Sequence, residues 1–302
     1  MVDILLRSAG YVAVMVLGYL LRRWGVLRQE DFRVLSTLVI RVTLPAAVII
    51  NFSGKEMDVS MLSLTLLGLL FGCLGMASGY LLHLRGTKEE KSFAVINYSA
   101  YNIGNFTMPF VQSFLGPVGV IATSLFDVGN AMVCLGGSAS VAHVVRRGGR
   151  LSVGKLVRSM SRSVSLITYV IMTVLTLCHI TLPATLLQWV SVPASANVFL
   201  SMLMIGVGFS GVQDAGQWRA LRRFLLGRYG LSTILAAACW FVLPFGVEIR
   251  RTLVVLLFAP VASANLPFTR EIEGDVSLAS AMSSVSVVCS IPIIVALLSI
   301  MG

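Results

Sequence analysis

Two stretches place amides and prolines where an apolar chain should have neither. In SAYNIGNFTMPF, Ser99 to Phe110, the residues Asn102, Gly104 and Asn105 come just ahead of Pro109, inside a run long enough to cross a bilayer. Proline removes a backbone donor and glycine loosens the helix, so this segment is expected to break near its middle. Irregular backbone at membrane depth is tolerated only where protein buries it or water lines it. A break leaves a half-helix N-terminus with free N–H groups and a partial positive charge, which suits a carboxylate. Asn102 and Asn105 would add donors and acceptors there. The alternative is that these amides only cap the broken backbone.

The second stretch is APVASANLP, Ala259 to Pro267, with Pro260, Ser263 and Asn265. A shift of 158 residues, from Pro109 to Pro267, lays PFVQSFLG on PFTREIEG and brings one interrupted segment onto the other. Paired interruptions at corresponding places in two halves are a sequence pointer to a transport site.

Ionisable groups inside the apolar runs come next, because each is costly there and needs a partner or a task. Asp127 is the acidic residue deep within a span, and Asn130 follows three positions on, on the same helix face. The pair is read either as a site for a coupling cation or exchangeable proton, or as a structural hydrogen-bonded carboxyl. Arg41 lies mid-span ahead of Pro45, and three roles are open to it: pairing with Asp127, attracting an anion, or snorkelling to an interface. Asn197, in PASAN, faces either a helix interface or the substrate path. His83, His143 and His179 fall at span ends with no second ligand at helical spacing, so no metal site is expected. The five cysteines lie in apolar runs and are read as structural thiols.

The elements that carry these residues follow from composition. Hydrophobic residues make up 57% of the 302 and charged ones 12%, well below the charged share of roughly 25% in soluble domains. An all-α polytopic membrane protein is expected, with ten spans of roughly 20 residues. The spans are placed at about Ile4–Leu21, Val34–Ile50, Met61–Leu84, Ser92–Leu115, Val118–Val141, Ser163–Ile180, Ala194–Gly211, Leu221–Phe245, Arg251–Phe268 and Val276–Ile300. The third is rich in glycine, at Gly68, Gly72, Gly75 and Gly79, spacings that let another helix approach closely.

Most of the 23 basic residues fall in every second loop, among them Arg22, Arg23, Arg28 and Arg33, then Arg85, Lys88 and Lys91, then the run from Arg146 to Arg162, then Arg219 to Arg228. The positive-inside rule puts those loops in the cytoplasm and both termini outside, in an inner (plasma) membrane. The net charge of +10 is thereby taken up by loops, and nucleic-acid binding is not expected. A basic linker over residues 143–162 divides the chain into five-span repeats over 1–142 and 163–302. An odd number per repeat makes the second enter from the opposite side, so the fold is expected as two inverted five-helix repeats with broken, crossing fourth and ninth spans.

In order and spacing several short motifs resemble the auxin efflux carrier family, specifically its short prokaryotic members. They are LGYLLRRWGVL ending the first span, LPA in the second, Asn102 seven residues before Pro109 and then Gly116, DVGN in the fifth, and AP followed by EGD in the ninth. The resemblance covers the whole length. It implies a fold shared in outline with bile-acid sodium symporters, in which spans 1, 2, 6 and 7 form a scaffold, often dimeric, and spans 3–5 and 8–10 form a mobile transport domain. It matches Asn102 and Pro109 to the first crossover motif and Pro260 to the second. Thr107 stands where many members have glycine, which makes the expected pocket narrower and more polar. Some members carry dicarboxylates.

The sequence therefore leads to an expectation of a secondary active transporter of small organic anions, working by elevator-like alternating access, with Asn102, Asn105, Thr107, Pro109, Pro260, Ser263 and Asn265 at the substrate. No organic cofactor is expected, and sodium or a proton is the candidate coupling ion. The alternative is a channel or uniporter-type facilitator for a small polar solute, but rings of one pore-lining charge are missing. An intramembrane enzyme would need a nucleophile with its base, or paired aspartates, within the spans, and these are missing too. A receptor would carry a signalling domain, for which ten spans leave no room.

Overall fold

The computed structural model describes residues 2–148, 153–211 and 215–301. Arg150 of the basic linker lies outside them. The described chain is helical, and no strand forms beyond one isolated antiparallel bridge between Tyr101 and Val261. The elements are α1 (Val2–Arg23), α2 (Asp31–Phe52), α3 (Val59–Leu82), α4 (Lys88–Ser99), α5 (Met108–Phe114), α6 (Gly116–Arg147) and α7 (Val153–Met160). They continue with α8 (Val164–Leu177), α9 (Ala184–Gly208), α10 (Ala215–Phe241), α11 (Val247–Leu257), α12 (Asn265–Glu271) and α13 (Val276–Met301). Seven of them, α1, α2, α3, α6, α9, α10 and α13, are long and apolar enough to cross a membrane. The apolar α8 is shorter, and α4–α5 and α11–α12 are the two interrupted segments.

Local chemistry sets the element ends. Thr87 and Glu90 cap α4 reciprocally, the Glu90 N–H donating to Thr87 Oγ1 (3.2 Å) and the Thr87 N–H to Glu90 Oε2 (2.9 Å). Pro45 and Pro109 are accommodated by the same device. A π turn, Val39–Thr43 or Ile103–Thr107, shifts the hydrogen bonding so that the residue before the proline bonds five back, Leu44 N–H to Val39 and Met108 N–H to Ile103. The wider turn avoids the clash a proline ring makes with the carbonyl four back in an α-helix. Gly116, at φ +61°, makes the reversal from α5 into α6 that a side chain would resist.

The helices pack through small residues. A Cβ added to Gly68 of α3 would strike the Phe126 carbonyl of α6, and one on Gly129 of α6 would strike the Thr65 carbonyl of α3. Gly75 and Gly79 meet the α4 backbone at Tyr98 and Ala94 in the same way. Gly18 of α1 and Gly206 of α9 form a second such contact. Backbones this close gain dispersion contacts that lipid cannot supply. The outer faces stay apolar, as Leu66, Leu226 and Trp189 show at 68%, 75% and 80% exposure. Phe106, Phe110, Phe126 and Tyr101 are buried around the first interruption, so the core wraps the broken backbone.

The seventh span departs from expectation. It was placed to start at Ala194, but α9 begins at Ala184, behind Pro183. Pro193 is carried inside the helix, with an irregular step at Ala196 that passes the chain on to Asn197. It is Pro183, with its fixed φ and missing N–H, that begins this helix.

Candidate functional site

The two interruptions lie against each other. The Asn102 N–H donates to the Pro260 carbonyl at 2.9 Å and the Ala262 N–H to the Ala100 carbonyl at 3.4 Å, around the Tyr101–Val261 bridge. Buried backbone groups that lose helical partners must find others, and side chains from neighbouring helices supply them. Asn130 on α6 accepts from the Tyr101 N–H and donates to the Tyr101 carbonyl, both at 3.0 Å. Ser286 on α13 accepts the Val261 N–H at 3.0 Å, and Ser232 on α10 donates to the Leu257 carbonyl at 2.6 Å. Asn265, at the start of α12, donates through Nδ2 to the Ile96 carbonyl of α4 at 2.8 Å.

Two ionisable side chains flank this backbone. Asp127 receives Asn130 Nδ2 on Oδ1 (2.8 Å) and the Tyr169 hydroxyl on Oδ2 (3.1 Å), so α6 and α8 meet at one carboxylate. On the other flank Arg228 of α10, 2% exposed, spreads its guanidinium over carbonyls of both interruptions. Nη1 donates to Tyr98 (2.9 Å), and Nη2 lies near Ala100 (3.1 Å), Ala259 (3.3 Å) and Pro260 (3.5 Å). Its carbon centre lies 4.7 Å from the centroid of the Tyr101 ring, a cation–π contact.

Two cavities adjoin the crossing, and Asn102 and Ser263 line both. The larger, about 990 Å³, lies between α2, α9, α12 and α13 and reaches the exposed Arg33 and Arg270. The smaller, about 120 Å³, lies between α2, α6 and α8, with Gly104, Asn105, Asp127 and Tyr169 on its wall. The Oδ1 of Asn105 is buried without a hydrogen-bond partner. Gly104 keeps the floor low, since a Cβ there would meet the Leu44 side chain at 2.9 Å.

The residues singled out from the sequence are thus brought together unequally. Asn102, Asn105 and Ser263 line cavity, while Pro260 gives its carbonyl to the crossing. Asn265 joins α12 to α4, with its Oδ1 buried and unpaired. Thr107 is fully buried and turns its hydroxyl back to the Asn102 carbonyl at 3.3 Å, and Pro109 is buried in the first turn of α5. Asn197 accepts from Thr43 of α2 (2.9 Å) and donates to Gln112 of α5 (3.2 Å), so it ties three helices rather than lining either cavity. Arg41 is exposed on the outer side of the π turn in α2, and the partners of Asp127 are Asn130 and Tyr169 instead.

Sequence reasoning missed Arg228, Tyr169 and Ser286. Arg228 was counted among the loop charges after the seventh span. It lies well inside α10, and its signal was a lone arginine in FLLGRYGLSTILAA, framed by Gly227 and Gly230.

Comparison with known proteins points to membrane transport. Residues 9–142 match the family described as membrane transport protein. A distant relative, described as an uncharacterized transporter of Methanothermobacter thermautotrophicus, is 26% identical over 304 aligned residues, spanning 93% of this chain and 94% of its own. Together they bear out the resemblance read from the motifs.

Proposed function

We propose that this chain, a membrane transport protein of the auxin efflux carrier type, is a secondary active carrier of small organic anions whose substrate sits at the crossing of the two interrupted segments. One observation carries the reading: Asn102 and Ser263 line both cavities, so a solute in either touches the same two side chains. Arg33 and Arg270 outweigh Glu30 along the larger cavity, and the net positive charge favours an anion on its way in. Asn105 and the amides opening the Ile103–Thr107 turn offer it donors.

In this reading the chain crosses the membrane ten times, α8, α4–α5 and α11–α12 adding to the seven long helices. The basic loops then lie in the cytoplasm and both termini outside an inner (plasma) membrane. The two halves are inverted repeats over 1–142 and 163–302. In this reading α3–α6 and α10–α13 move as a transport domain against a scaffold of α1, α2, α8 and α9, which also provides the surface for a second copy. Asp127 with Asn130 is the candidate station for a coupling proton or sodium ion.

Counterflow of labelled small carboxylates in proteoliposomes tests the reading. Saturable exchange between internal and external carboxylate is the expected result. Conductance without exchange would make the protein a channel and overturn it.

A further inference from the structure

We infer that Arg228 is a tethered cation, occupying by covalent attachment the position at the crossing where a freely exchanging metal ion would be coordinated. Where helices are broken in membrane carriers, unwound carbonyls and half-helix C-terminal ends form the coordination shell of a small cation. Such a shell is present here. Tyr98 and Ala100 contribute carbonyls from the end of α4, and Ala259 and Pro260 from just beyond α11, all four within 3.5 Å of guanidinium nitrogens. Both segments bring the negative ends of their helix dipoles to the same point, and the group found there is a guanidinium.

Its surroundings are specific to a cation. No carboxylate lies within ion-pair distance of Arg228 among the described residues, so the carbonyls and the Tyr101 ring face are what offset its buried charge. Gly227 lets α10 come close enough to deliver it, since a Cβ there would meet Leu82 and Tyr98. A planar fork reaches carbonyls in several directions at once, which an ammonium does not. The crossing therefore carries a permanent positive charge, and any exchangeable cation is left to the Asp127 side, across the Tyr101 backbone.

That this fixed charge favours an anion at the crossing rests on the function proposed above, whereas the cation site itself does not. The test uses purified full-length protein in an Asp127→Asn background, which silences the carboxylate. Thermal midpoints are read in choline chloride, in sodium chloride and with millimolar guanidinium, at constant ionic strength. Asp127→Asn alone is expected to give the same midpoint in all three. Adding Arg228→Ala is expected to lower it in choline and to restore most of the loss with guanidinium, and part of it with sodium. A double variant no more responsive to these cations than the single one overturns the inference, as does a sodium-responsive Asp127→Asn protein. Should the double variant not fold, Arg228→Lys replaces it: an ammonium at the same place must keep the protein insensitive to sodium, and a sodium response overturns the inference. If the cation responses are as expected but no carboxylate raises the midpoint of any form, the anion reading fails and the tethered cation stands.

Discussion

Asn130 holds Tyr101 by both backbone groups, its Oδ1 taking the N–H and its Nδ2 giving to the carbonyl, each at 3.0 Å. Asp127 fixes the orientation of that amide by accepting its second N–H at 2.8 Å. The side chain thus replaces one strand partner for a residue that α4 has released. Asn130→Ala leaves the Tyr101 N–H without a partner and its carbonyl with the Ile103 N–H alone (3.0 Å), so a loss of about 1–3 kcal/mol is expected in thermal or denaturant unfolding. Asn130→Asp keeps the acceptor but loses both donors and sets a second carboxyl beside Asp127, and it is expected to be at least as harmful. A wild-type midpoint for either variant would show that the break needs no such clamp.

Asp127 and Tyr169 bear on coupling. Tyr169→Phe removes one of the two donors to the carboxylate and should cost about 1 kcal/mol while leaving uptake coupled. Asp127→Asn is expected to retain exchange of substrate but to lose any dependence on pH or sodium. Measured initial rates across a pH series, with and without sodium, decide this. Unchanged coupling would make Asp127 a structural carboxyl.

Helix contacts at glycine offer a direct stability test. Gly129→Ala drives a methyl group into the Thr65 carbonyl of α3, and overpacking of this kind costs about 1–3 kcal/mol. Gly10→Ala meets nothing within 4 Å on the exposed face of α1 and serves as the control. The expected order in a thermal shift assay is wild type and Gly10→Ala together, with Gly129→Ala clearly below them.

Gln112 and Asn197 meet at 3.2 Å across the boundary between the proposed moving and fixed domains, and Tyr11 and Ser113 hydrogen-bond beside them. Sliding of one domain past the other must open these contacts. Gln112→Cys with Asn197→Cys, in a background lacking the five native cysteines, is expected to stop exchange when bridged by a short bifunctional thiol reagent, and reduction or omission of the reagent to restore it. Transport that survives complete cross-linking would end the elevator reading.

The parts of this architecture legible in the sequence were those governed by local backbone chemistry. Pro109 with its preceding amides pointed to the first interruption, which falls at residues 100–102, ahead of the π turn that accommodates the proline, and APVASANLP pointed to the second, where Pro260 follows shortly after the end of α11. The glycines of α3 were legible because spacing alone puts them on one face. Arg228 was not, since counting charges by position cannot show that one arginine of a basic cluster turns inward to meet carbonyls 128 and 130 residues earlier in the chain. Thr107 was legible as unusual, but its hydroxyl serves the backbone of Asn102, a choice set by the π turn. Asn197 likewise needed its three-dimensional neighbours, Thr43 and Gln112, before its position could be read.

The Tyr101–Val261 bridge also orders events during biogenesis. When α4 leaves the ribosome, the segment around Val261 that will bridge to Tyr101 has not been synthesised, and neither has Arg228, the cation for its terminal carbonyls. The first interruption must therefore wait in the bilayer with its polar groups provisionally satisfied, by Asn130 or by water, until α10 and α11 insert. The crossing is among the last features of the molecule to become complete, and a chain halted before α11 would hold Arg228 with only two of its four carbonyl ligands.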